Sequence, residues 1–117
     1  MKITRFEDII SWQKANVLTV GIYKSLRTNK DYSFRDQIQR ASVSIMNNIA
    51  EGYERHTNKD FMNFLYIAKG SCGETRSMLD LGHQLGYFEQ KDYKLYYNMT
   101  IEISKLLSGF ITSLRTL

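Results

Sequence analysis

Apolar residues recur along the chain at steps of three and four, in four series separated by short polar stretches. Trp12, Ala15, Leu18, Ile22 and Leu26 make the first; Phe34, Ile38, Ala41, Ile45 and Ile49 the second. Phe61, Phe64, Leu65, Ala68, Cys72 and Leu79 make the third, and Tyr96, Met99, Ile103, Leu106, Leu107, Phe110 and Leu114 the fourth. That spacing lines up each series on one face of an α-helix and does not fit the alternation of a strand. The breaks carry their own signals. Glu7 and Asp8 predict a helix start, and the first helix runs to about Thr28. Ser33 followed by Asp36 resembles a capping box that opens the second helix. Thr57 with Asp60 opens the third after a turn at His56–Asn58, Gly86 closes it, and Glu89, Gln90 and Asp92 open the fourth. Four helices of roughly 20 to 28 residues, about 30–40 Å long at 1.5 Å per residue, with short connections predict an all-α protein. The expected architecture is an antiparallel up-down-up-down four-helix bundle forming one domain over residues 1–117.

Polar residues off these stripes are less ordinary. Asn48, Glu51 and Arg55 on the second helix and Asn63 and Glu74 on the third form a polar stripe. Glu51 and Arg55 have the i,i+4 spacing of an intrahelical pair. One reading is a solvated face; the other is a polar contact buried within the bundle or between subunits. Gly52, Gly70 and Gly73 favour the second, because a glycine inside a helix costs about 0.5–1 kcal/mol against alanine and calls for a packing reason. Tyr87, Phe88, Tyr93 and Tyr97 add more aromatic surface than four helices need, either half-buried with hydroxyls in water or at a subunit interface.

The run from Gln37 to Tyr53, QIQRASVSIMNNIAEGY, is followed by Phe61, Phe64, Leu65, Ile67-Ala68, Gly70-Ser71 and Glu74, and preceded by Phe6-Glu7, Trp12-Gln13 and Ala15. Together these resemble the signature of the small four-helix-bundle family of S23, or 23S rRNA intervening-sequence, proteins. That family includes the accessory variability determinant of diversity-generating retroelements. The resemblance implies a ring of five subunits and RNA-linked roles in some relatives. It also implies, as partner, RNA or a nucleic-acid-handling protein such as a reverse-transcriptase-like enzyme. Some relatives are encoded within ribosomal RNA genes, which locates the gene and does not make the product a ribosomal component. Met46 stands where the family pattern usually has proline.

Among the 117 residues, 43% are hydrophobic and 24% charged, so a folded core is expected rather than a disordered tail. No apolar run approaches the roughly 20 residues of a membrane span, and the N-terminus lacks a signal-peptide core, so a cytoplasmic protein with no membrane contact is expected. The net charge is +4, and Lys24, Arg27, Lys30 and Arg35 crowd around the first connection, where only Asp31 and Asp36 offset them. A phosphate backbone could use such a cluster. Catalytic patterns are missing. His56 and His83 are far apart, the Glu-x-x-His spacing of di-iron bundles is absent, and Gly70-Ser71-Cys72-Gly73 lacks the Gly-Lys-Ser/Thr ending of a phosphate loop. Cys72 falls on an apolar stripe and reads as core filler, and Trp12 reads as a core or interface residue. The expectation is a non-enzymatic, oligomeric, cofactor-free scaffold that binds structured RNA or a nucleic-acid-handling protein through Lys24, Arg27, Lys30 and Arg35. The alternative is a protein-interaction module that binds no nucleic acid.

Overall fold

The computed structural model describes residues 2–117. A 3-10 turn, Phe6–Asp8, precedes α1 (Ile10–Ser25), α2 (Tyr32–Tyr53), α3 (Asn58–Gln84) and α4 (Gln90–Arg115). Each helix packs on its neighbours around the bundle, α4 closing on α1, while the diagonal pairs α1/α3 and α2/α4 keep their Cα atoms more than 8 Å apart. The result is the expected antiparallel four-helix bundle, 45 × 22 × 20 Å. All four series meet in one core, with Leu18, Ile22, Ile38, Ile45, Leu65, Leu79, Ile103 and Leu107 fully buried.

The first helix differs from expectation. Glu7 and Asp8 close the 3-10 turn instead of opening α1, which starts after Ile9 and spans only 16 residues, ending before Thr28. Asp8 is held there by the Thr4 backbone N–H and hydroxyl, each 3.1 Å from its Oδ2, so its charge is engaged outside the helix. The second start is also corrected. Ser33 lies inside α2, and the cap is Asp31, whose Oδ1 accepts from Phe34 N at 3.2 Å. Thr57 caps α3 as predicted, accepting from Asp60 N at 3.1 Å. Gly86, at φ +77°, ends α3 in a Schellman arrangement, with Tyr87 N on Gly82 O and Gly86 N on His83 O. α2 runs unbroken through Met46, whose sulfur receives a long contact from Asn16 Nδ2 at 3.9 Å.

Glycine marks close packing at Gly52, where a Cβ would stand 2.7 Å from Phe64 Cβ, as expected. The same holds at Gly82, which the periodicity did not single out: a Cβ there would meet Phe88 and Phe34 at 2.6 and 2.7 Å. At Gly70 and Gly73 the chain itself supplies no such packing, because nothing beyond their own helix lies within 4 Å of where their Cβ would be.

Candidate nucleic-acid interface

The connection between α1 and α2 is pinned at two points. Leu26, fully buried, anchors its start in the core, so Lys24, Arg27 and Lys30 on either side of it stay in solvent. Asp31 anchors its end. Besides capping α2, its Oδ2 accepts from Tyr87 Oη at 2.6 Å, which ties the α1–α2 connection to the α3–α4 connection. The Tyr87 hydrogen bond, followed by the one from Phe34 N, holds the Asp31 carboxyl below the usual carboxylate range and pushes the Tyr87 phenol up. Both Asp31 oxygens are therefore engaged. Asp36, the other acid nearby, pairs with Arg35 Nε at 3.4 Å.

The four basic candidates consequently divide. Among the described residues, Lys24, Arg27 and Lys30 enter no ion pair. Arg35 is instead an internal brace: it binds Asp36, donates to Asn29 O at 3.5 Å and lies 4.6 Å over the Tyr32 ring. The antiparallel topology also brings Lys91 and Lys94, exposed in the first two turns of α4, to the same end of the bundle. Sequence reasoning missed them because they lie more than 55 residues away along the chain. The up-down order of the helices was the signal that could have placed them.

The polar stripe is not buried within the bundle. Glu51, Arg55, Asn63 and Glu74 are exposed, and only Asn48 is half-buried. Glu51 and Arg55 satisfy each other at 2.6 Å within one helical turn, leaving their side chains 54% and 45% exposed, so nothing draws them inward. Arg55 also caps the face of Phe64 at 4.7 Å. The polar link between α2 and α3 is a pair of hydroxyls, Ser44 Oγ and Ser71 Oγ, 2.8 Å apart, with Asn48 Nδ2 on Ser44 O and Oγ. They floor a polar groove of about 620 Å³ rimmed by Asp36, Gln37, Arg40 and Glu74.

Tyr87, Tyr93 and Tyr97 are half-buried, and the hydroxyls of Tyr87 and Tyr93 donate to acids. Tyr93 Oη donates to Asp80 at 2.5 Å, which pushes its phenol up to about 12, and its ring stacks on His83 at 3.9 Å. Phe88 is buried between Phe34 and Tyr96. Trp12 is half-buried and edge-on to Phe6. Cys72 is fully buried with Sγ donating to Thr100 O at 3.1 Å, and burial pushes its thiol up to about 11. Among the described residues no three His, Cys, Asp or Glu side chains gather as a metal site, and no helix is long and apolar enough to cross a membrane.

The structure is similar to a crystal structure from Bacteroides thetaiotaomicron VPI-5482, of a protein with unknown function from the S23 ribosomal protein family. The two superpose with a TM-score of 0.81 at 32% identity, over 87% of this chain and 98% of that one. No curated protein matches the sequence. Residues 7–109 match the family described as 23S rRNA-intervening sequence protein, a span that takes in the Gln37–Tyr53 run, the capped turn at Thr57 and all of α1, α2 and α3. The chain belongs to the 23S rRNA-intervening sequence protein family.

Proposed function

We propose that the chain is a non-catalytic, self-associating scaffold that holds the phosphates of structured RNA at the α1–α2 end of the bundle. The observation that carries this reading is the exposure of Lys24, Arg27 and Lys30 without an acidic partner, while the adjacent Asp31 and Asp36 are engaged by Tyr87, Phe34 N and Arg35. Lysine and arginine directed at phosphates position a nucleic acid without reading its bases, so sequence preference is weak and binding falls with salt. Lys91 and Lys94 enlarge the same end.

Fluorescence anisotropy with a structured RNA at two salt concentrations tests this. Three phosphate contacts per chain, at a slope near −0.9 each, lower the affinity about 40-fold for a fourfold rise in salt. Replacing Lys24, Arg27 and Lys30 together by glutamine flattens that slope. Absence of binding at low salt would end the RNA reading. It would leave a protein-interaction module, which the exposed apolar residues of α1 and α3 favour.

A further inference from the structure

The polar groove between α2 and α3 has a low floor and high walls. Small side chains make the floor, Ala41 and Ser44 from α2 and Ser71 from α3. Long ones make the rim, with Asp36, Gln37 and Arg40 on the α2 side and Glu74 on the α3 side, so a flat group can lie between them. Arg40 and Glu74 carry opposite charges on opposite walls, yet among the described residues neither enters an ion pair. Asp36, one helical turn before Arg40, is taken by Arg35 at 3.4 Å. The floor keeps a donor in hand, because the Ser44 and Ser71 hydroxyls hold two protons and the bond between them uses one. Lys69 and Arg76, half-exposed on another face of α3, do not line the groove.

From this arrangement we infer that the groove receives an unpaired guanine base. This rests on the RNA reading above and adds one base contact to its phosphate grip. The rim selects a neutral occupant, since a phosphate placed there would face the carboxylates of Asp36 and Glu74. A volume of about 620 Å³ lies within the roughly 300–1,000 Å³ of small-molecule sites. Hydrogen bonding then selects among the bases. Guanine alone presents two adjacent donors, N1–H and N2–H, to the two oxygens of a carboxylate such as Glu74. Its neighbouring edge presents the acceptors O6 and N7, which suit the guanidinium of Arg40. Adenine and cytosine offer a single amine beside an acceptor, and uracil a single N–H between two carbonyls, so none of them engages both oxygens of Glu74. In a duplex the donor edge of guanine is already paired, so the base comes from a loop, a bulge or a free nucleotide. The groove starts at Ser33, three residues past Lys30, and follows α2 as far as Ser44, about 16 Å at 1.5 Å per residue. It therefore begins at the end of the bundle where Lys24, Arg27 and Lys30 stand.

Fluorescence anisotropy with short single-stranded RNAs tests this, each an oligouridine carrying one guanine, adenine, cytosine or hypoxanthine. Guanine tightens binding about 5- to 150-fold over plain oligouridine, the range for one bidentate base contact, and adenine and cytosine do not. Hypoxanthine, which lacks the N2 amine, gives a smaller gain than guanine. Glu74→Gln, a change of nearly equal size at an exposed position, separates a base contact from a charge effect by sign. If Glu74 holds the base, the variant binds the guanine RNA more weakly and oligouridine no more weakly. If Glu74 only repels phosphate, neutralising it tightens both alike, which overturns the proposal. Arg40→Gln also reduces the guanine gain, and circular dichroism checks that both variants keep their helix content. Calorimetry with guanosine monophosphate against uridine monophosphate distinguishes the source of the base: selective binding of the guanine nucleotide without RNA binding supports the groove and ends the RNA reading. Equal affinity for every RNA with its salt dependence intact overturns the groove and leaves the basic end standing. A guanine gain that survives both substitutions, or no binding of RNA or nucleotide at all, overturns it as well.

Discussion

Seven glycines in the chain do at least three different jobs, and only their surroundings tell them apart. At Gly82 the missing side chain makes room for the rings of Phe34 and Phe88, so Gly82→Ala forces one of them off its rotamer. We expect a loss of about 1–3 kcal/mol in urea unfolding, the usual range for an overpacked core. At Gly86 the positive φ is the requirement, and at Gly70 and Gly73 nothing within the chain demands glycine. Their shared place in a helical pattern makes Gly52 and Gly70 look alike in sequence, although one lies under Phe64 and the other in open space. Cys72 makes the opposite point. Its place on the apolar stripe was sufficient to predict burial, and with the thiol pushed up to about 11 it stays unreactive to a thiol reagent at neutral pH until the chain is denatured. A stoichiometric reaction with the native protein would contradict this.

At the level of elements, the signals that proved legible were those complete within a few residues. Thr57 reaches Asp60 N three residues on, and Thr57→Ala removes that acceptor, for an expected cost near 1 kcal/mol seen as a lower denaturation midpoint. The start of α2 was misplaced because its choice of cap is not local. Asp31 serves rather than Ser33 in a connection that Tyr87, 56 residues away, fixes through the other carboxylate oxygen. That tie gives a pH dependence with a definite sign. The folded Asp31 carboxyl lies below its unfolded value, so the stabilisation is complete above about pH 4, the unfolded carboxylate pKa, and is lost as pH falls through the lower folded value. Tyr87→Phe removes the leading cause of the shift and should reduce the acid dependence of the melting temperature. An unchanged pH profile would mean the tie adds nothing to α2.

Over the whole molecule, polarity is distributed by helix. α2 and α4 turn mainly polar side chains outward, whereas α1 and α3 keep apolar strips on diagonal corners.

Sequence by itself determined the number of helices, their order, the inward stripe of each, and the turns at Thr57 and Gly86, because periodicity and capping are decided by neighbours along the chain. It also carried the family, since the Gln37–Tyr53 run and the residues after it lie within the matching span. Tertiary structure decided the rest. Docking α2 on α3 joins Ser44 to Ser71 while leaving Glu51 and Arg55 outside, and the α3–α4 connection supplies the tyrosine that occupies Asp31. Folding back α4 carries Lys91 and Lys94 to the end where Arg27 and Lys30 stand. Each of these outcomes depends on which partner arrives from a distant part of the chain, and a charge or hydroxyl is free or engaged only once that partner is in place.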